Sequence, residues 1–164
     1  LEILQLWLNL PASLKMTEPR YKGLQKEDIP TSVSDDGNLT AQVISGNILD
    51  TPGAFDTLTP INLAVLHFNE GGAFRCVVPE EDNILCYVIK GEIRINGERI
   101  EALHLAEYEH DSELIHLEAQ EESIVLFGHA KPFNEPVVFG GPFVMNSQEE
   151  IDEAYADFKS GKFE

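Results

Sequence analysis

The chemistry-bearing residues of this chain are five histidines, two cysteines and a large surplus of carboxylates. His67, His104, His110, His116 and His129 make no H-x-H and no H-E-x-x-H, so no two imidazoles carry a familiar metal-ligand spacing. His104, His110 and His116 recur every six residues, a spacing that is neither helical nor that of a ligand set. They stand among Glu101, Glu107, Glu109 and Glu113, which favours imidazolium and reads as a solvated charged rim. Cys76 and Cys86 form no C-x-x-C. Arg75 is the one basic neighbour placed to activate Cys76, and strand alternation sends it to the opposite face. G-x-S-x-G and a phosphate loop are both missing from the sequence, so neither a serine nucleophile nor a nucleotide site is legible.

Charge narrows the partners. With 11 basic and 29 acidic residues in 164, the chain carries −18. That field repels a phosphate backbone and an anionic membrane, so neither nucleic acid nor membrane is expected as a partner, whereas a basic protein partner remains open. An apolar content of 43% supports a sizeable core, and the length suits one domain with an extension. No apolar run reaches the ~18 residues of a membrane span. The opening LEILQLWLNL lacks a basic n-region and a small-residue cleavage site, so it is not read as a secretory signal. A cytoplasmic protein is expected. The chain opens without Met, which suggests a fragment or a processed piece.

The elements that must position these residues read as β. Glycine and proline recur at short intervals with β-branched and aromatic residues between them, the rhythm of an all-β sandwich or barrel. Strands are expected at 3–10, 40–45, 61–68, 73–78, 84–89, 92–95, 98–102, 113–118 and 123–128, with 15–38 wrapping the surface as loop and short strand. Asn96-Gly97 suits a two-residue type I′ turn, pairing Ile93 with Ile100 and placing Glu92, Arg94, Arg99 and Glu101 on the other face. A hairpin symmetric about Glu81 would set Cys76 opposite Cys86, with Cα atoms about 4.5–5.5 Å apart. In a reducing compartment the two would stay thiols with a structural role. Only the C-terminus reads as helix. Ser147 to Glu150 form a capping box, Ile151, Ala154, Tyr155 and Phe158 make an apolar stripe for docking, and Gly161 stops it.

This strand-rich pattern carries the spacing of a first cupin motif, G-x5-H-x-H-x3-E-x6-G. Gly72 and Gly91 occupy the glycine places. The ligand places hold Val78, Glu80 and Ile84, and one carboxylate cannot replace two imidazoles and a carboxylate on a transition ion. His116 falls where a second cupin motif ends in His, but Asp111 and Glu113 stand at that motif's proline and glycine places. His116 is therefore expected to be a strand histidine satisfied by hydrogen bonds rather than a ligand.

Longer blocks are more specific. Gln5-Leu6-Trp7-Leu8-Asn9-Leu10-Pro11, Lys15-Met16, Pro19-Arg20-Tyr21, Pro60-Ile61, Tyr87-Val88-Ile89-Lys90-Gly91-Glu92 and the run from Glu135 to Ser147 together resemble the C-terminal half of pirin-like proteins. So do the Glu149-Glu150-Ile151 helix start and Gly161-Lys162-Phe163, with Ser147 standing for the more usual Thr and Glu164 following Phe163 as small departures. The resemblance spans essentially the whole chain. It implies a bicupin family, in which an N-terminal cupin holds iron through three histidines and a glutamate. This chain is then the other half: a linker strand over 1–15, a degenerate cupin barrel (a double-stranded β-barrel or jelly roll) over 16–146, and a C-terminal helix and tail over 147–164. The resemblance further implies an all-β fold with a short C-terminal α-helix. It implies no catalytic, cofactor-binding or metal-binding residue in this chain, and iron only in an N-terminal cupin partner. The expected role is structural and pocket-forming. The alternatives are one half of an iron-dependent quercetin 2,3-dioxygenase, or a stand-alone small-ligand binder.

Overall fold

The computed structural model describes residues 3–109 and 113–163; His110, Asp111 and Glu164 lie outside the described residues. In chain order the strands are β1 (Thr31–Val33), β2 (Leu39–Ser45), β3 (Asn47–Ile48), β4 (Thr51–Pro52), β5 (Asn62–Phe68), β6 (Ala73–Val77) and β7 (Asn83–Lys90). Then come β8 (Glu92–Ile95), β9 (Glu98–Glu101), β10 (Leu105–Ala106), β11 (Leu114–Ala119), β12 (Ser123–Ala130), β13 (Val138–Gly140), β14 (Phe143–Met145) and the helix α1 (Gln148–Lys159).

Two sheets form the body. One has six strands in the order β1-β2-β5-β12-β7-β10, and the other has four in the order β6-β11-β8-β9. Every strand pair within them is antiparallel. Alternation supplies the core. Ala64, Leu66 and Phe68 of β5, Val125 and Phe127 of β12, and Cys86 and Val88 of β7 meet Phe74, Ile93, Ile95, Ile115 and Leu117 of the other sheet in one apolar cluster. This is the jelly-roll architecture of a cupin, with two facing sheets that do not close into one continuous barrel.

The β8–β9 hairpin has the register its turn predicts. Ile93 lies opposite Ile100, and Asn96 and Gly97 take φ of 48° and 93°. On the outer face Arg99 reaches Glu92 at 2.5 Å and Glu101 at 3.4 Å, while Arg94 turns back to the Gly97 carbonyl.

The cysteine strands depart from expectation. β6 and β7 are not a hairpin: Cys76 lies opposite Ile115, and Cys86 opposite Phe127 and Ala106. The polar stretch between them crosses from one sheet to the other, because each strand finds its partners from distant parts of the chain. The segment 3–10 is also not a strand. Among the described residues no backbone–backbone hydrogen bond involves it.

The chain groups into two compact units, residues 22–132 and residues 1–21 with 133–164. The first contains both large sheets. In the second, the β13–β14 hairpin packs with α1. Ile151 and Ala154 are buried beneath the helix, and Phe143 stacks edge-on against Tyr155 and Phe158. Gly140 is required there, because a Cβ would collide with Ile151. The capping box is made: Ser147 Oγ accepts from Glu150 N at 3.2 Å, and the Glu150 carboxylate accepts from Ser147 N at 3.2 Å. At the other end Lys162 N donates to Asp157 O and Gly161 N to Phe158 O, a Schellman stop with Gly161 at φ 78°.

Candidate functional site

The metal-motif positions converge. Val78 and Glu80 lie on the stretch that leaves β6, and Ile84 lies early in β7. All three line a cleft of about 560 Å³, closed on the far side by Leu105, Ala106 and Tyr108. The flanking glycines have structural reasons. Gly91 adopts φ 78°, and a Cβ there would strike Ser123 and the Glu122 carbonyl; one on Gly72 would strike the Asn38 carbonyl.

The frame is therefore kept while its donors are not. Val78 is 1% exposed and belongs to the core cluster, and Ile84 packs against that cluster. His116 is not brought to the cleft. Its neighbours Ile115 and Leu117 take the interior side of β11, so His116 projects from the outer face, with Nε2 buried and 3.7 Å from Glu118 Oε1. The hydrogen-bond partner expected for its ring is missing among the described residues; only its backbone is held, by Asn96. These residues do not fit an iron centre. One carboxylate and two aliphatic side chains offer no imidazole, and among the described residues no three His, Cys, Asp or Glu cluster as a ligand set.

Two features of the cleft escape sequence reasoning. The first is a side-chain pair at its edge, where the lining residue Asp82 meets a histidine. His129 Nδ1 lies 2.7 Å from Asp82 Oδ2, with the two side chains 13% and 12% exposed. β12 continues past the expected end at 128 and presents His129 beyond Phe127 on the interior face, while Asp82 arrives from the crossing between sheets. The alternation Val125, Phe127, His129 could have placed the histidine. Nothing local could have placed the aspartate.

The second is a thiol–phenol group. Tyr108 lines the cleft with its hydroxyl buried; the Cys86 thiol is close enough to act on it but stops short of hydrogen-bond geometry. Burial, reinforced by the two thiols, holds the Tyr108 hydroxyl well above the usual tyrosine range. Burial pushes the Cys76 thiol up to about 12, with Cys86 adding to the effect. It pushes Cys86 up to about 11, against a small opposing pull from Tyr108. Both cysteines are free and protonated at neutral pH, the reverse of a nucleophile's environment.

The other histidines lie elsewhere. His104 is exposed, with Nδ1 3.1 Å from the Ala102 carbonyl. His67 meets Gln42 Oε1 at 3.0 Å, and burial followed by the Lys26 charge lowers its pKa.

A cupin jelly roll with a retained motif frame and a substituted donor set defines the class. Comparison narrows it: the pirin C-terminal cupin domain matches residues 63–164. The chain belongs to the pirin family. It is 36% identical to human pirin over 164 residues, covering 97% of this chain and 56% of that protein, and 34% identical to Pirin-1 of Arabidopsis thaliana. Its fold superposes on the crystal structure of quercetin 2,3-dioxygenase from Acinetobacter baumannii with a TM-score of 0.89 at 35% identity, covering 96% of this chain and 55% of that one. The chain thus spans little more than half the length of these relatives. Among the described residues no helix is long and apolar enough to cross a membrane.

Proposed function

We propose that this chain is the metal-free C-terminal cupin of a pirin-type bicupin. It braces an iron-binding N-terminal cupin and helps to shape the pocket between them. The observation that carries this reading is the packing of Val78 and Ile84, which occupy two ligand places of the motif frame and pack with the apolar core. The length of the pirin relatives supports a two-domain parent. The charge of −18 supports a protein partner over nucleic acid, and two protonated thiols suit a reducing, cytoplasmic setting.

A second reading is that the parent is an iron-dependent quercetin 2,3-dioxygenase and this chain its shape-setting half. The likeness to the Acinetobacter baumannii enzyme favours it. Both readings place the redox metal outside this chain. Oxygen uptake separates them from a catalytic C-terminal cupin. The chain supplied with ferrous iron and quercetin should consume oxygen no faster than iron in buffer, because turnover needs a held metal with open positions. Iron-dependent uptake above that control, lost in Glu80→Gln, would overturn the proposal.

A further inference from the structure

We infer that the cleft lined by Val78, Glu80 and Ile84 binds a small organic cation, an ammonium group carried on an apolar body. The inference goes beyond the structural role proposed above and does not depend on iron in an N-terminal cupin.

The cleft is concave, and its volume of about 560 Å³ falls within the range of small-molecule sites, about 300–1,000 Å³. Its lining has two parts. Val78, Ile84, Leu105 and Ala106 give an apolar wall, against which a hydrocarbon or aromatic body is removed from water. Glu80, Asp82, Glu107 and Glu109 add carboxylates, and no lysine, arginine or histidine among the described residues lines the cleft. Asp82 is engaged by His129, while Glu107 and Glu109 are exposed to solvent. An anion entering there meets like charge backed by a net −18, and a cation is drawn in.

The spacing of the carboxylates separates an organic cation from a metal ion. Among the described residues no three His, Cys, Asp or Glu come together as a ligand set, so the acids do not close on one point charge. A hard metal ion needs several oxygens at contact distance, whereas a substituted ammonium is balanced by carboxylates spread around it. Tyr108 supplies a further complement. It lines the cleft, where its ring can meet the cation. Its hydroxyl is buried with no hydrogen-bond partner among the described residues, and an ammonium N–H donating to that oxygen would satisfy it. An acidic rim alone would not specify such a ligand; the apolar wall and the unpaired phenol oxygen do.

Calorimetry on this chain tests the assignment with 4-phenylbutylamine, 4-phenylbutanol, 4-phenylbutyrate and methylammonium as probes. The amine should bind saturably at one site. The alcohol and the carboxylate keep the body and change the head, and each should bind at least about tenfold more weakly. Methylammonium, the head without the body, should be weaker by at least about the same factor. Glu107→Gln combined with Glu109→Gln should weaken the amine roughly fivefold and flatten the dependence on salt. Glu98→Gln, on β9 and outside the cleft, changes the net charge without touching the site and should leave the affinity unchanged. Tyr108→Phe should weaken the amine about 3- to 10-fold. No saturable binding of the amine would overturn the inference. So would an alcohol, carboxylate or methylammonium that binds as tightly as the amine, or an affinity equal in the wild-type chain and the cleft variants. Equimolar calcium should not displace the amine, and displacement would overturn the assignment by making the acids a metal site.

Discussion

Residues 22–132 and the unit formed by 1–21 with 133–164 are held by different physics. The first is a continuous apolar interior shared by two sheets, in which Phe68, Leu66, Ile93, Ile115, Leu117 and Phe127 are all but inaccessible. The second buries only Ile151 and Ala154 among its described residues, stacks Phe143 on Tyr155 and Phe158, and is tied by polar clamps. Glu135 accepts from both Ala12 and Asn146, Lys15 ties Asn9 to Val144, and the capping box fixes the helix start. Where the interior is filled by its own side chains, the ligand places of the motif become packing positions, and Val78 is one of them. An assembly built on clamps has no such reserve and exposes the apolar surface it cannot cover, as Phe139, Phe158 and Phe163 show.

The comparison predicts a graded series. Phe127→Ala, which empties the centre of the sheet pair and removes the edge-on contact with Phe74 at 5.2 Å, should cost about 3–5 kcal/mol in chemical denaturation. A loss under ~1 kcal/mol would mean that the sheets do not share one core. Asp82→Ala removes the side-chain partner of His129 and should cost about 1–3 kcal/mol, the penalty of leaving a largely buried polar group unpaired. Ser147→Ala should cost roughly 1 kcal/mol and Ser147→Thr almost nothing, read as a shift of the unfolding midpoint. An unchanged midpoint for Ser147→Ala would show that the cap does not hold the helix.

The smallest effect is the one set by pH. Burial raises both thiols from 9.0, so the folded state prefers them protonated. Their contribution is fully present below pH 9 and is lost as pH rises through about 11 to 12. Tyr108 acts with the same sign. Its hydroxyl is unpaired among the described residues, so Tyr108→Phe should leave neutral-pH stability unchanged or slightly higher and soften the alkaline loss. Melting curves taken from pH 7 to 11 check both halves of that statement. Stability that climbs above pH 9 would contradict the buried environment assigned to the thiols.

How much of this was legible depends on range in sequence. The β8–β9 register, the capping box and the Gly161 stop are local, each written in a few consecutive residues, and the structure reproduces them. The Gly72–Gly91 frame is legible for the same reason, because its positions lie on neighbouring elements that meet at one cleft. What failed is non-local. Cys76 and Cys86 read as a hairpin because the intervening stretch is short and polar, yet each strand pairs with β11, β12 or β10, between 20 and 41 residues away by the register partners Ala106, Ile115 and Phe127. Asp82 and His129 are 47 residues apart and share no motif. The segment 3–10 has the composition of a strand, but composition does not supply a partner.

The central claim is that the motif frame around the cleft holds no metal. Elemental analysis of the tag-free chain, purified without chelator and then dialysed against ferrous iron, zinc, copper and nickel in turn, tests it directly. The account predicts metal far below one equivalent in every case, with no difference between the wild-type chain and Glu80→Gln. Near-stoichiometric metal that is lost in Glu80→Gln or His116→Ala would contradict it, and would mean that the cleft is a metal site built from a donor set other than the one the frame displays.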